Sequence, residues 1–302
     1  MQQGDRPRDR QRQRVQARGG LPVAGLLLQS LKRNNAALAA YVRSEKIMEH
    51  IGSPLEKARV YNGRGYFYFF TEQYPQAVEY YYSALALLER SKQYDELCTT
   101  LVNIAFVYLF CFRFDECIHY LEETLRVMNY LNISDLPFHP RFFIYCVLGI
   151  AYVKKKRISK ALELVNRIHS HQRVSLIDRH EYYDFLLAEI ERFNGNTAAA
   201  AARYEKAIAS ALEIEAETNH IVLFCFYEYG SMYLHAGEPV KAREVFSRAV
   251  SGPGRNGSCG FHLKLISAAA EGKEPPSMPD LPFRRFDSSV VIHFVKLDAT
   301  LN

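Results

Sequence analysis

The residues of this 302-residue chain that could do chemistry are few and poorly grouped. Three histidines lie close together in the sequence: His169, His171 and His180. Residues two apart point to different sides of a helix, so His169 and His171 cannot bind one metal ion from the same face. Hydrated histidines at a helix end are the simpler interpretation, and the sequence predicts neither a metal site nor a cofactor. It also lacks a glycine-rich phosphate loop, an H-E-x-x-H motif and a G-x-S-x-G turn, so it predicts no enzyme.

The cysteines are the other reactive side chains, and their spacing argues against disulfides or zinc. No C-x-x-C pair occurs, and five of the six lie in segments with helical patterning. Small buried thiols explain this distribution better, which predicts a reducing compartment and a cytoplasmic location. The six are Cys98, Cys111, Cys117, Cys146, Cys225 and Cys259.

Charge is concentrated at the N-terminus. The chain carries 38 basic and 33 acidic residues, a net charge of +5, and residues 1–20 supply six Arg and two Asp of these. The rest is nearly neutral, so the sequence predicts no nucleic-acid binding by the remaining residues. No apolar run approaches the 18 residues or so of a membrane span. The basic run 154–157 is interpreted as the hydrated end of a helix, with an anion-binding patch as the alternative.

A fragment made of a small residue, a turn, an alanine-like residue and a bulky apolar residue recurs five times. The alanine-like slot falls at positions 77, 117, 161, 200 and 242, which gives spacings of 40, 44, 39 and 42 residues. A period in this range predicts a solenoid of helical hairpins, in which each unit buries its apolar face against its neighbours. The small-residue slots, where two helices are expected to approach closely, are Gly65, Ala105, Gly149, Ala188 and Gly230.

The five copies resemble the tetratricopeptide repeat, whose pattern is W-x2-L-G-x2-Y followed by A-x3-F, a further Ala and a Pro. The match covers about residues 54–250, although the chain has no Trp and lacks the closing Pro. Its longer repeat is similar to the variety of roughly 40 residues found in bacterial signalling and regulatory proteins. The resemblance implies an all-α, right-handed superhelical solenoid of antiparallel helix hairpins.

The pattern divides the chain into four parts. Ser53, Pro54 and Glu56 form a helix-start signature that marks the first strong repeat. The end of the chain is rich in β-branched residues and unlike the repeats, and neither end has the polar capping helix of a solenoid. The expected parts are a disordered Arg-rich tail (1–20), a degenerate N-terminal repeat (21–52), five repeats (53–250) and a mostly irregular non-repeat segment (251–302).

In this family the first helices of the repeats line a concave groove. Members that hold a carboxylate use Lys, Asn and Arg there, whereas this chain places aromatic and aliphatic residues in most positions. The resemblance therefore implies an apolar ligand, either an amphipathic helix or an extended peptide. Alternatively, a tight superhelix fills this face with its own packing. The groove residues so implied are Asn62, Tyr66, Phe69, Phe70, Asn103, Phe106, Phe110, Cys146, Ile150, Phe185, Glu189 and Tyr227.

These observations predict a cytoplasmic, non-catalytic module that binds a protein or peptide partner and contacts neither nucleic acid nor a membrane. The alternative function is the sensory part of a bacterial regulator. Such repeat regions lie beside diguanylate cyclase or helix-turn-helix output domains, or form Rap-type peptide receptors, and this chain contains no recognisable output domain. The partner and the oligomeric state stay open.

Overall fold

The computed structural model describes residues 34–136, 140–170, 180–213, 219–252 and 260–301. These residues form 13 helices and no strand. In chain order the helices are α1 (Asn34–Ile51), α2 (Pro54–Phe70), α3 (Tyr74–Leu88), α4 (Tyr94–Phe110), α5 (Phe114–Tyr130), α6 (Arg141–Lys154), α7 (Ile158–Ser170), α8 (His180–Phe193), α9 (Thr197–Glu213), α10 (Asn219–His235), α11 (Pro239–Ser251), α12 (Gly260–Glu271) and α13 (Ser288–Leu301). Within the described ranges, no helix combines the length and apolar composition needed to cross a bilayer.

The first strong repeat begins where the capping signature predicts. Ser53 precedes α2, its hydroxyl accepts a hydrogen bond from the Glu56 N–H at 3.3 Å, and its own N–H donates to Glu56 Oε2 at 2.8 Å. Pro54 occupies the first turn, where a missing N–H leaves no partner unsatisfied. This reciprocal box fixes the start of α2 and the register of the repeats after it.

Five antiparallel hairpins come one after another, numbered 1 to 5 in chain order: α2–α3, α4–α5, α6–α7, α8–α9 and α10–α11. The alanine-like slot is fully buried in every hairpin, which confirms the repeat register. Gly65 and Gly230 lie where the two helices of one hairpin touch, because a Cβ there would stand 2.6 Å from Tyr81 or 2.2 Å from Phe246. Gly149 differs, since its Cβ would meet Leu186 of the next hairpin at 2.8 Å.

Hairpin 4 has a carboxylate, Asp184, at the position of the Trp in the W-x2-L-G-x2-Y pattern, and it compensates for this charge with cations. Asp184 is 1% exposed, and its oxygens lie 3.0 Å from Arg203 Nη1 and 3.1 Å from Lys206 Nζ, both on α9. The pairs satisfy a charge that burial would otherwise penalise. An ion-paired hairpin thus keeps the register that an apolar residue maintains elsewhere.

The chain beyond residue 251 is more regular than expected. It contains α12, which packs on α10 and α11, and α13, which packs on α5. The β-branched end is thus helical: Val291 is 2% exposed, and strand propensity yields when a helix can bury the same apolar residues. Residues 273–287 between the two helices have no regular secondary structure.

At the other end, α1 covers the residues expected to form the second helix of the N-terminal unit. Its Tyr41 is fully buried, with its ring 6.4 Å from that of Phe67 on α2. The expected first helix of that unit, up to residue 33, and the Arg-rich tail lie outside the described residues.

The solenoid closes on itself, so that the first and last hairpins meet. The His220 ring of α10 lies 5.3 Å from the Phe70 ring of α2, and its Nε2 lies 3.2 Å from the Phe70 carbonyl oxygen. Phe224 of α10 likewise contacts Phe110 of α4 at 5.4 Å. These contacts join residues about 110 to 150 positions apart, and they fill the space enclosed by the first helices.

Candidate binding sites

The side chains expected to line the groove are mostly buried in this closed arrangement. Four are 0–1% exposed and form core contacts: Phe110, Cys146, Ile150 and Phe185. Glu189 is 2% exposed, and Phe69 and Phe106 are each 8% exposed. The remaining five are half-buried: Asn62, Tyr66, Phe70, Asn103 and Tyr227. In this conformation the inner face, defined as the enclosed side of the first helices, is occupied largely by the protein's own side chains.

Aromatic contacts explain why the inner face is filled. Phe106 stacks on Phe143 at 5.0 Å between ring centres, and Tyr182 of α8 meets both rings edge-on at 5.9 and 4.6 Å. Such pairs contribute about 0.5–1.5 kcal/mol beyond the area they bury. The same aromatic residues that suggested a ligand groove thus join hairpins 2, 3 and 4.

A buried charge network occupies another part of the inner face. Lys154 Nζ lies 2.7 Å from Glu189 Oε2 and 2.5 Å from Glu228 Oε2, and Arg192 Nη1 lies 2.7 Å from the same Glu228 oxygen. Burial alone would raise the pKa of Glu228, but Lys154 and Arg192 hold it below its ordinary value. Lys154 is therefore not part of a hydrated basic patch. It bridges carboxylates of α8 and α10.

A second surface, on α3, α4 and α5, holds an extended segment. We call it the tyrosine surface: Tyr82, Glu89, Tyr108, His119, Tyr120 and Glu123. The segment is the chain's own tail, and its backbone is bound at every second residue, the period of an extended chain. Pro282 C=O accepts from the Tyr108 hydroxyl at 2.5 Å and the Tyr82 hydroxyl at 3.2 Å, and Arg284 C=O accepts from the Tyr120 hydroxyl.

The tail's N–H groups find acceptors on the same helices. Arg284 N–H donates to the Tyr82 hydroxyl at 2.9 Å, and Phe286 N–H donates to His119 Nε2 at 3.2 Å. Ser288 N–H donates to Glu123 Oε2 at 2.9 Å, where α13 begins. Side chains of helices thus satisfy backbone groups that a neighbouring strand would satisfy in a sheet.

Side chains of the tail add specificity to this backbone binding. Leu281 and Phe286 are each 4% exposed, and the Arg284 guanidinium lies 2.8 Å from Glu89 Oε2. Phe283 is 47% exposed, although its ring lies 5.8 Å from that of His119. The bound segment therefore contains a buried apolar residue, a proline, an outward aromatic residue, a cation and one buried aromatic residue.

Protonation states on the tyrosine surface suit these roles. Burial raises the pKa of both Tyr108 and Tyr120, so their hydroxyls keep the protons that they donate. Burial lowers the pKa of His119, which keeps Nε2 available as an acceptor. No sequence pattern indicates this surface, apart from tyrosines in packing positions. The tail residues that it binds lie 164 to 202 positions further along the chain.

A third group of side chains is buried where the solenoid closes. Glu72 lies in the turn between α2 and α3, His220 near the start of α10 and His262 in α12. Glu72 Oε1 is 3.2 Å from His262 Nδ1 and 3.5 Å from His220 Nδ1. The other carboxylate oxygen accepts from the N–H of Phe261. The three side chains are only 0–5% exposed.

This cluster perturbs the ionisation of its members. Burial would raise the pKa of Glu72, but hydrogen bonds from His220 and His262 lower it to about 2. Burial lowers the pKa of His262 below its usual range. No short-range signal in the sequence connects these three residues.

The three histidines that lie close together in the sequence take no part in this cluster. His169 pairs with the Tyr183 hydroxyl, and His180 begins α8. His171 lies outside the described residues. The histidines that lie close together in the sequence are therefore not the ones that the fold brings together.

The described cysteines are buried and free of disulfides. Burial raises the pKa of the Cys98 thiol to about 12, which makes it a packing residue rather than a nucleophile. The other four described cysteines are buried in the same way, and Cys259 lies outside the described residues.

Residues 56–129, nearly all of hairpins 1 and 2, match the family model for the tetratricopeptide repeat. The resemblance inferred from the repeat pattern is confirmed. No curated protein matches the chain.

Solved structures with a similar fold include three Rap-type proteins. A Rap protein in complex with competence and sporulation factor has a TM-score of 0.61 at 14% identity, covering 96% of this chain and 72% of the other. The apo form of RapI has a TM-score of 0.56 at 16% identity, covering 83% and 96%. Aspartyl phosphate phosphatase F from Bacillus subtilis has a TM-score of 0.55 at 11% identity, covering 92% and 75%. At these identities the likeness establishes the fold, an all-α repeat solenoid.

Proposed function

We propose that this chain is a non-catalytic module that binds an extended protein segment on its tyrosine surface. One observation carries the proposal: this surface already binds an extended segment, residues 281–288, through both its backbone and its side chains. Backbone contacts of this kind accept many sequences, whereas the pockets for Leu281 and Phe286 and the cation pair at Glu89 select among them. The ligand is a partner segment with the same order of apolar, proline, aromatic and arginine residues.

The tail then acts as a competitor attached to its own receptor. A tethered segment has an effective concentration that reaches the millimolar range for short linkers, and residues 273–280 form a short linker here. To displace the tail, a partner segment must bind more tightly than the tail does or be present at a higher concentration. Loosening the tail is therefore expected to raise the apparent affinity for a segment added in trans.

A second candidate function is a peptide sensor whose inner face opens to the ligand. The observation that favours it is the similarity to a Rap protein in complex with competence and sporulation factor, which spans 96% of this chain. Binding on the aromatic inner face requires the Phe70–His220 contact to separate, because Phe110, Ile150 and Phe185 are buried while it holds.

The tyrosine surface can be tested with a labelled peptide of residues 279–288, PDLPFRRFDS. The receptor is the full chain with Arg284→Glu and Phe286→Ala, which remove the cation pair and one buried ring of the tail. We expect this receptor to bind the peptide more tightly than the unchanged chain does. Adding Tyr120→Phe removes the hydroxyl that binds Arg284 C=O, so binding should weaken by about 1 kcal/mol, or roughly fivefold.

Tyr233→Phe in the same receptor is the matched control, because Tyr233 lies on α10, away from the tail. Equal effects of the two tyrosine variants, or no binding to the loosened receptor, would contradict the proposal. A peptide library screened on the loosened receptor should then return the apolar, proline, aromatic and arginine order. Selected peptides that protect the inner face from exchange instead would favour the sensor function.

A further inference from the structure

Two imidazole rings and a carboxylate converge on one buried point. One ligand atom from each of Glu72, His220 and His262 lies within 4.8 Å of the other two. In a tetrahedral zinc site, with bonds of about 2.0–2.1 Å, neighbouring ligand atoms are roughly 3.3 Å apart. The observed 3.2 and 3.5 Å from Glu72 Oε1 to the two Nδ1 atoms agree with that spacing.

The outward nitrogens of both rings fix which atoms face the convergence point. His220 Nε2 lies 3.2 Å from the Phe70 carbonyl oxygen, and His262 Nε2 lies 3.1 Å from the Phe110 carbonyl oxygen. A carbonyl oxygen only accepts, so each Nε2 carries a proton, and Nδ1 is the atom of each ring that faces Glu72 and can bind a metal ion once it is unprotonated. Histidines that bind metals are held in the same way, with the other ring N–H donated to a carbonyl.

The backbone conformation at Glu72 explains how its carboxylate reaches this point. Its φ is +56°, in the left-handed region, two residues after the end of α2. The equivalent residues of the other four hairpins also have a positive φ: Phe112 (+58°), Lys156 (+56°), Gly195 (+80°) and Gly237 (+74°). The left-handed conformation is therefore a feature of the repeat. Glycine is favoured here and a side chain with Cβ is disfavoured. At Glu72 this conformation brings a carboxylate between two buried histidines.

We propose that Glu72 Oε1, His220 Nδ1 and His262 Nδ1 bind one divalent transition-metal ion, with zinc as the best match. Imidazole and carboxylate are common zinc ligands. Tyr74 lies beside them, its hydroxyl oxygen 3.3 Å from His262 Nδ1, so this hydroxyl or a water completes four-coordination. Burial on all sides identifies the site as structural, since a catalytic zinc keeps an open position for substrate.

The ion would join three parts of the molecule that are distant in sequence. Glu72 belongs to hairpin 1, His220 to hairpin 5 and His262 to the helix after it. The ligand set therefore spans the closure of the solenoid. Binding of the ion is expected to stabilise the closed form, because an ion that binds only the folded state adds to its stability.

The test uses the full chain without an affinity tag, stripped of metal by a chelator and titrated with zinc. We expect about one zinc per chain by mass spectrometry of the metal content, together with a higher thermal midpoint. Cobalt should give the visible spectrum of a tetrahedral N/O site without a thiolate charge-transfer band. His262→Gln keeps an amide group near the Nε2 position and removes the Nδ1 ligand. It should weaken zinc binding by about 100-fold or more, exceeding the 10- to 100-fold loss typical of an outer partner.

Two variants serve as controls. His169→Gln changes an exposed histidine outside the cluster, and Cys111→Ser changes a buried thiol whose ionisation is influenced by Glu72. Both should bind zinc as the unchanged chain does. Should His262→Gln fail to fold, Glu72→Gln tests the same site, and the cobalt spectrum of the unchanged chain is independent of either. The proposal is overturned by a stripped chain that takes up no zinc, by a thiolate spectrum, or by equal binding in the cluster and control variants.

Discussion

Glycine at a small-residue slot is required most strictly where the opposing side chain cannot move. At Gly230 an added Cβ would stand 2.2 Å from a ring carbon of Phe246, which is fully buried. At Gly149 the nearest atoms, 2.8 and 2.9 Å away, are the terminal methyl carbons of Leu186. A methyl end can rotate away, whereas an enclosed ring displaces its neighbours. The small-residue slot is therefore expected to tolerate an added side chain better in hairpin 3 than in hairpin 5.

Gly230→Ala is expected to lower the free energy of unfolding by about 1–3 kcal/mol, as overpacking does in a close-packed core. Gly149→Ala should have a smaller effect, and the pair can be compared by urea unfolding followed by circular dichroism. Equal effects would mean that the Phe246 ring has room to shift.

Residue types predict some of these sites and miss others for a physical reason. The Ser53–Glu56 capping box and the alanine-like slots arise from interactions within one repeat, and sequence spacing alone locates them. The Glu72, His220 and His262 cluster depends on how far the solenoid curls before its ends meet. Curvature is the sum of small rotations per repeat, which no residue pattern specifies.

At the scale of elements, the first helices of the hairpins do more than line a groove, because their side chains also bind one another. Lys154 ends α6 and binds carboxylates of α8 and α10, so one cation joins three successive hairpins. The sequence predicts a hydrated lysine at this position, because a basic helix end is usually exposed. The tail also differs from expectation, because a segment expected only to be irregular packs against α3, α4 and α5.

Lys154→Met should destabilise the protein by about 3–5 kcal/mol at pH 7, because two buried carboxylates lose their shared cation. The pKa of Glu228 is depressed in the folded chain, so its contribution is present above the unfolded value, near 4.3, and is lost as the pH falls below it. On acidification from pH 7 toward pH 5 and below, the variant should lose less stability than the unchanged chain does, because only Arg192 then lowers the pKa of Glu228.

Urea unfolding across this pH range measures the difference. Lys160→Met is the matched control, because Lys160 lies 3.5 Å from Glu122 on the exposed surface, where such pairs contribute about 0–1 kcal/mol. A Lys154 variant with the pH profile of the unchanged chain would show that the network is not buried in solution.

At the scale of the whole molecule, closure changes how a solenoid unfolds. An open repeat protein is stabilised by contacts between neighbours only, so its units can separate one after another. Here Phe224 of hairpin 5 touches Phe110 of hairpin 2 and Phe185 of hairpin 4, at 5.4 Å in each case. Contacts between non-neighbouring hairpins couple their unfolding, and we expect a single cooperative transition.

Phe224→Ala removes the ring at the centre of this closure and should cost about 3–5 kcal/mol. Its specific consequence lies elsewhere in the chain: amide hydrogens of α4 should exchange faster, because hairpin 2 loses its partner in hairpin 5. Phe246→Ala is the matched control, since that ring is equally buried but packs against Gly230 of its own hairpin. Hydrogen exchange resolved by peptide distinguishes the two. Faster amide exchange in α4 with Phe224→Ala alone supports closure through the inner face. Equally fast exchange with both variants would mean that the hairpins are coupled only through their neighbours.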